Sequence, residues 1–188
     1  MKIVLLEELG VSKDKIDKQA EKLASMGHEL ITYAKNTDPK IQVERTKDAD
    51  VIMLANMPLS KEVVEEAKHL KFIDVAFTGV DHIPMEEAKA RNIAVSNASG
   101  YATQAVAELC ISFMIQLLRN IEQTQKRCRE GGTKDGWIGS LLCGKTVGIV
   151  GAGAIGKKTA KLCKAFGCRV IAYSRSKVED SVIDRQVP

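Results

Sequence analysis

Short apolar runs alternate with amphipathic segments along the first hundred residues of the chain. The apolar runs predict five strands, at 2–8, 28–34, 49–56, 71–77 and 92–98. The segments between them predict helices at 13–26, 60–70 and 84–92, with Ser60 as an N-cap and Pro84 in a first helical position. This alternation predicts an α/β fold with a parallel sheet that helices cover on both faces.

The pattern changes at Gly100, which predicts a boundary between one domain at 1–99 and another at 100–188. A long helix is predicted over 103–129, and its first part is apolar almost all round. Such a helix is typical of a buried core or of a subunit interface. After a polar, glycine-rich loop, residues 145–174 predict a strand, a glycine-rich turn, a helix and a second strand.

The glycine-rich turn has the sequence G-A-G-A-I-G at 151–156. Gly151 permits a tight turn, Gly153 lets a pyrophosphate approach the backbone, and Gly156 lets helix and strand pack closely. The helix then begins with Ala154 and Ile155, at an N-terminus whose N–H groups meet the phosphates. The strand–turn–helix–strand context therefore predicts dinucleotide binding, and the alternative is a glycine-rich turn with a structural role alone.

The end of the second strand bears on the choice between NAD and NADP. In this arrangement an acid usually hydrogen-bonds the adenosine ribose there, but the chain has Ser174 and Arg175. Without an acid nothing repels a 2′-phosphate, and Arg175 could pair with it, which favours NADP over NAD. Two alternatives stay open: Glu179 or Asp180 folds back to the ribose, or Arg175 is an ordinary solvent-exposed arginine.

Composition narrows the classes of function. The net charge is +4 with both signs interspersed, so no nucleic-acid partner is expected. The 5 cysteines form no CxxC pair and most lie in apolar segments, which indicates free thiols and a cytoplasmic protein. The 3 histidines lack metal-ligand spacing, and no apolar run reaches membrane-spanning length, so neither a metal nor a membrane partner is expected.

Two longer stretches, 78–121 and 141–176, resemble the D-isomer-specific 2-hydroxyacid dehydrogenases, which include phosphoglycerate, glycerate, D-lactate and formate dehydrogenases. The VDHI loop, the VAE helix start and the glycine-rich turn follow in the family's order and approximate spacing. The resemblance implies a flavodoxin- or Rossmann-like substrate domain at 1–99, followed by a partial Rossmann βαβ unit in a truncated NAD(P)-binding domain. It also implies the reaction, hydride transfer between a nicotinamide cofactor and a 2-oxo or 2-hydroxy acid.

The resemblance implies a substrate-facing loop at 55–57 and a turn at 78–80 whose backbone N–H groups hold the substrate carboxylate. For the second of these the alternative is an ordinary turn. The implied substrate contacts are Asn56, Met57, Thr78, Gly79, Val80 and Tyr101. Because Asn56, Met57 and Pro58 stand where phosphate-using members tend to have a basic residue, a small or apolar substrate is favoured.

Further implied contacts concern the cofactor and a second subunit. Thr78 is implied to touch the nicotinamide end, and Thr103 to bind a cofactor phosphate, with a plain N-cap as the alternative for Thr103. The helix at 103–121 is implied to build a homodimer interface, and the alternative is a helix in the core of a monomer.

The family's chemistry uses an arginine, a glutamate and a histidine that lie beyond the equivalent of Arg175, and they have no counterpart here. His82 lies in the substrate domain and is rejected as a proton donor, while His28 and His69 are interpreted as surface or structural residues. The segment after Ser176 does not match the family's next segment, so one βαβ unit is expected. We therefore expect the isolated chain to be inactive; the alternative is a non-catalytic cofactor-binding or interaction module.

Overall fold

The strands of the chain form two separate sheets, one in the unit Met1–Ser99 and one in the unit Gly100–Pro188; the computed structural model describes residues 1–187. In the first unit the strands are β1 (Lys2–Leu5), β2 (Glu29–Thr32), β3 (Val51–Leu54), β4 (Phe72–Val75) and β5 (Ala94–Asn97). Its helices are α1 (Lys13–Ser25), α2 (Pro39–Thr46), α3 (Lys61–Glu66) and α4 (Met85–Ala90). The strand order is β2-β1-β3-β4-β5, and every pair is parallel, which confirms the predicted α/β class.

The core of the first unit lies between its central strands and its helices. Fully buried side chains alternate along β3 and β4, with Ile52 and Leu54 on the first and Ile73 and Val75 on the second. Helix α3 adds Val63 and Val64, which are also fully buried. Because burial of such side chains is the main favourable contribution to folding, β3 and β4 are rigid supports for the loops that follow them.

Helix α2 was not predicted from the sequence. Its start has ordinary helix signals, since Pro39 is in the first turn and the Asp38 side chain accepts a hydrogen bond from the Lys40 N–H at 2.9 Å. Its buried residues, however, are the polar Gln42 and Thr46, so the apolar periodicity that indicates a helix is missing.

Two cap assignments also differ from the predictions. Pro84 lies in the N-cap position before α4 and not in the first helical position. Ser60 does precede α3 as predicted, but its side chain makes no capping hydrogen bond. All five strands are shorter than the apolar runs that predicted them, because each run continues into the loop at the strand end.

The second unit contains α5 (Thr103–Leu118), α6 (Ile121–Arg129), β6 (Thr146–Val150), α7 (Ala154–Ala165), β7 (Arg169–Tyr173) and β8 (Arg185–Val187). Its sheet has the order β6-β7-β8 and is parallel throughout. Its core gathers Ile111 of α5, Ile149 of β6, Cys163 of α7 and Val170 of β7. Burial raises the pKa of the Cys163 thiol to about 11, so this cysteine is a neutral apolar group in the core.

The predicted long helix over 103–129 is wrong as one element, because the chain breaks it between α5 and α6. Asn120 adopts a left-handed conformation with φ 50° and ψ 43°, which asparagine tolerates better than most residues. The N–H of Ser140 donates to the Leu118 carbonyl at 2.7 Å and so satisfies an acceptor at the end of α5. The polar loop that precedes β6 therefore closes over this break.

The βαβ unit predicted over 145–174 is present as β6, α7 and β7, and the tail after Ser176, for which no element was predicted, adds β8 to the same sheet. The Asp184 carboxylate, just before this strand, accepts from the Val170 N–H at 2.6 Å and from the Lys164 ammonium at 2.8 Å. The Gln186 amide donates to the carbonyls of Ser174 and Ser176 at 3.1 and 2.9 Å. Polar side chains thus hold a segment whose sequence has little apolar periodicity.

Among residues 1–187, no helix combines the length and the apolar character that a membrane span requires. The same residues contain no group of three or more His, Cys, Asp or Glu side chains that could hold a metal ion.

Candidate functional site

The loops that follow β3 and β4 lie side by side at the carboxyl edge of the first sheet. Strands β3 and β4 are neighbours, and the Ala76 N–H donates to the Leu54 carbonyl at 2.8 Å where both strands end. Further out, the Leu59 N–H donates to the His82 carbonyl at 3.0 Å and joins the two loops. This arrangement brings the segments 55–57 and 78–80 to the same edge, where parallel α/β sheets bind ligands.

A buried carboxylate after β1 holds the segment 55–57. One oxygen of Glu7 accepts the Ala55 N–H at 2.8 Å and the Met57 N–H at 2.7 Å. Its other oxygen lies 3.3 Å from the Lys35 ammonium, and the Glu7 side chain is only 4% exposed. Burial by itself raises the pKa of this carboxyl, but the two backbone hydrogen bonds and Lys35 outweigh it and lower the pKa below 4.5.

Within this segment the side chains of Asn56 and Met57 have different surroundings. Met57 is fully buried in the core of the first unit, so its side chain cannot reach a ligand at the edge of the sheet. Asn56 is exposed, and its Oδ1 accepts a hydrogen bond from the Lys35 ammonium at 3.3 Å. Asn56 is thus the side chain of this pair that is available at the surface.

The segment 78–80 carries the buried hydroxyl of Thr78. Among the described residues, no hydrogen-bond partner faces the buried Oγ1 of Thr78, whereas its carbonyl accepts from the Asn97 side chain at 2.6 Å. A Cβ placed on Gly79 would come no closer than 3.8 Å to another heavy atom, that of Asp81. Packing within the chain therefore does not require glycine at 79. The next residue, Val80, packs against the core of the first unit.

The glycine-rich turn of the second unit is built by contact between glycine backbones. Gly151 has φ +98°, in the left-handed region, and its N–H donates to the Tyr173 carbonyl of the adjacent strand at 2.9 Å. A Cβ on Gly156 would lie 2.1 Å from the Gly151 carbonyl oxygen. Any side chain at 156 would therefore push α7 away from the turn.

Gly153 differs from these two, because a Cβ there would meet nothing within 4 Å. It is the N-cap of α7, with φ −77°, and its carbonyl accepts from the Lys157 N–H at 2.9 Å. The N–H groups of Ala154, Ile155 and Gly156 precede this first helical bond and have no acceptor within the helix. With the helix dipole, they form a site that suits a phosphate.

The loop after β7 contains the residues that bear on the ribose. Ser174 is half-buried and Arg175 is exposed. The carboxylate of Asp180 lies 3.9 Å from the Lys157 ammonium on α7, whereas Glu179 lies 2.8 Å from Lys177 in its own loop. Of the two acids considered from the sequence, Asp180 is therefore the one beside the helix of the glycine-rich turn.

The remaining predicted contacts lie at the start of the second unit. Tyr101 is 61% exposed, and Thr103 is the first residue of α5, with Ala102 in the N-cap position. The Thr103 N–H donates to the Gly100 carbonyl at 3.1 Å. Tyr101 and Thr103 thus belong to a different unit from Asn56 and Thr78.

Sequence reasoning missed Glu7 and Lys35. The signal for Glu7 was an acid directly after the apolar run of β1, at the edge where the carboxyl ends of parallel strands meet. Lys35 had no comparable signal, because it follows the short β2 by three residues, in an irregular segment.

The chain is similar to known proteins over most of its length. Residues 4–184 match the family described as D-isomer specific 2-hydroxyacid dehydrogenase, catalytic domain. A hydroxypyruvate reductase from Thermotoga maritima is 32% identical over 168 residues, which are 88% of this chain and 55% of that protein. The match runs through the tail after Ser176, which sequence reasoning had set apart.

Solved structures of related proteins have the same fold. An acyclic imino acid reductase in complex with NADPH and D-Arg superimposes with a TM-score of 0.87 at 26% identity, covering 100% of this chain and 60% of that one. An NAD-dependent formate dehydrogenase from Staphylococcus aureus in complex with NAD gives 0.86 at 29% identity, with the same coverage. The chain spans 55% of the length of the T. maritima relative. With residues 4–184 matched, it belongs to the D-isomer-specific 2-hydroxyacid dehydrogenase family.

Proposed function

We propose that residues 1–99 bind a small 2-oxo or 2-hydroxy acid, and that residues 100–188 form the first part of an NAD(P)-binding domain. The reaction to which both contribute is hydride transfer between the cofactor and the substrate, as in a D-2-hydroxyacid dehydrogenase. The observation that carries the proposal is the contact between Gly156 and Gly151, which sets the N-terminus of α7 against the end of β6. That arrangement serves phosphate binding in dinucleotide folds.

The chain's own residues would act by binding and orientation. When bound, the nicotinamide cofactor supplies the hydride. The N–H groups at the start of α7 would hold the pyrophosphate, aided by the open space at Gly153. The backbone N–H groups of Gly79 and Val80 would hold the substrate carboxylate, and the unpartnered hydroxyl of Thr78 would complete its bonds with a ligand.

Completion of the reaction also needs a proton donor beside the substrate carbonyl. All three histidines belong to the first unit, and we keep His82 outside the chemistry because the family's proton donor is a residue of the cofactor domain. We therefore propose that the 188 residues alone bind ligands without turnover. A non-catalytic binding module is the second candidate function, and the same lack of a donor favours it.

Turnover is tested by mixing the chain with NADPH or NADH and a panel of 2-oxo acids while absorbance of the reduced cofactor is followed. We expect no oxidation above the rate without protein. Turnover that survives repurification and disappears in Gly153→Ala would refute the proposed inactivity and exclude the non-catalytic module.

Dinucleotide binding at the glycine-rich turn is tested by a matched pair of glycine variants. Gly153→Ala has room within the chain, so it should fold normally but bind NADP roughly tenfold or more weakly, because the methyl group occupies space for the phosphates. Gly156→Ala should instead lower the free energy of unfolding by roughly 2 kcal/mol or more, because its Cβ overlaps a backbone oxygen. Calorimetric titration and urea denaturation measure the two effects. Unchanged NADP binding by Gly153→Ala contradicts the proposed site.

The cofactor preference is proposed to be NADP, through Arg175, which is exposed at the end of β7. Arg175→Ala should weaken NADP binding roughly tenfold or more, since a charge-assisted hydrogen bond is lost, and leave NAD binding unchanged. Asp180→Asn is the matched control for the ribose alternative, because it keeps the size of the side chain and removes its charge. Tighter binding of NAD than of NADP by the unaltered chain, with Asp180→Asn weakening NAD, would assign the ribose contact to Asp180.

A homodimer through the α5 helix is proposed because one face of that helix is apolar and exposed. Leu109, Phe113 and Leu117 follow each other at a spacing of four, and they are 50%, 54% and 80% exposed. Contiguous exposed apolar patches commonly mark interaction sites. Leu117→Glu should shift sedimentation from dimer to monomer, while Glu122→Gln on α6 should not. A monomeric unaltered chain at low micromolar concentration would contradict the dimer.

We also propose a cytoplasmic location, supported by the five free cysteines, two of which are buried. Neither a nucleic acid nor a membrane is part of the proposed function.

A further inference from the structure

We propose that Glu7 is a positioning residue for the segment 55–57, and that together with Lys35 it directs the Asn56 side-chain amide outward as a hydrogen-bond donor. The inference rests on the proposed function in one respect, namely that this segment faces the substrate. It assigns the residue that fixes the segment and the kind of group that the segment presents.

The first step is the anchoring of the backbone on both sides of Asn56. A single oxygen of Glu7 accepts the N–H groups of Ala55 at 2.8 Å and Met57 at 2.7 Å. Hydrogen bonds to an ionised carboxylate are stronger than those between neutral groups, and this carboxylate is nearly inaccessible to water. The two N–H groups are therefore unavailable to a ligand, and the peptide planes around Asn56 are fixed.

The second step is the orientation of the Asn56 side chain. The Lys35 ammonium lies 3.3 Å from the free oxygen of Glu7 and 3.3 Å from Oδ1 of Asn56, so it bridges the two. An ammonium group has donors only, so the amide must turn its oxygen toward Lys35. The amide nitrogen of Asn56, with two donor hydrogens, then points away from the bridge.

The third step concerns charge. Lys35 is half-exposed, but its partner Glu7 offsets its positive charge at a distance of 3.3 Å. Glu8, next in the chain, and Lys13 and Asp17 of α1 are charged side chains that line the same small cavity as Glu7. The segment therefore presents a neutral donor to a ligand and no unpaired cation. It suits a 2-oxo acid whose far end carries an uncharged oxygen, in preference to one with a phosphate there.

A neutral side chain, Gln42, holds the residues that follow the segment through two hydrogen bonds. Gln42 is 1% exposed, its amide donates to the Pro58 carbonyl at 3.0 Å, and its oxygen accepts the Ser60 N–H at 3.0 Å. Loss of the hydrogen bonds that Glu7 accepts should therefore disturb 55–57 while residues 58–60 stay in place.

The pH dependence has a definite sign. The folded-state pKa of Glu7 is lowered from 4.5, so the ionised form stabilises the folded unit above that pH. The stabilisation is lost as the pH falls from 4.5 through the lower folded-state pKa. Protonation removes the attraction to Lys35 and releases Asn56.

The anchoring is tested by nuclear magnetic resonance on the full chain. In the unaltered protein, the amide signals of Ala55 and Met57 should move together as the pH falls below 4.5. Glu7→Gln should keep both hydrogen bonds, because the new side chain still offers an oxygen, but should abolish the pH response of the two amide signals. Lys35→Met should shift the side-chain amide signal of Asn56, whereas Glu65→Gln, on the exposed side of α3, should change none of these signals.

Two results would overturn the proposal. The first is that the Ala55 and Met57 amides do not respond to pH in the unaltered protein. The second is that Lys35→Met leaves the Asn56 side-chain signal where it was. If Glu7 had only a structural role, its protonation would change backbone amide signals throughout the first unit and would not act selectively on the Asn56 side-chain amide.

The substrate side is tested separately with hydroxypyruvate and pyruvate, which differ by one uncharged oxygen. The unaltered chain should bind hydroxypyruvate roughly threefold to tenfold more tightly, and Lys35→Met and Asn56→Ala should remove that preference. A preference that survives both changes refutes the role of Asn56. If neither acid binds, the proposed function fails, while the pH response still decides the anchoring by Glu7.

Discussion

The carboxyl ends of parallel strands meet at one edge of their sheet, and this constraint places the loops of both candidate sites. In the first unit the edge collects Glu7 after β1, the segment 55–57 after β3 and the segment 78–80 after β4. In the second unit it collects the glycine-rich turn after β6 and the Ser174–Arg175 pair after β7. Residues far apart in the sequence are neighbours there because β1, β3 and β4 are adjacent strands, as are β6 and β7.

The two edges achieve rigidity by different means. In the second unit the absence of side chains is decisive, since Gly156 allows backbone to lie against backbone at Gly151. In the first unit a buried side chain takes that role, because the Glu7 carboxylate satisfies two N–H groups of a segment that has no regular structure. A buried charge is costly unless it is paired and hydrogen-bonded, and Glu7 meets both conditions. Both edges thus hold short irregular stretches of the chain in a fixed position.

Much of this could be predicted from the sequence, because local patterns determine it. Apolar runs predicted the five strands of the first unit. The glycine spacing at 151–156, between an apolar strand and a helix, predicted the glycine-rich turn. The hydropathy pattern did not predict the elements that polar side chains hold in place. Helix α2 buries Gln42, strand β8 is held by Asp184 and Gln186, and the break before α6 depends on one left-handed asparagine. Hydropathy carries no signal for such contacts, because the partners are distant in sequence and polar in type.

The central claim, that the edge of the second sheet is a dinucleotide site, is tested most directly by mapping the backbone amides that respond to NADPH. Nuclear magnetic resonance on the 188-residue chain provides this map, because each amide reports on its own surroundings. We predict that the largest shifts fall on Gly151–Gly156 and on Ser174 and Arg175, and that β8 is little affected. Saturating NADPH that leaves the Gly151–Gly156 amides unmoved would contradict the account.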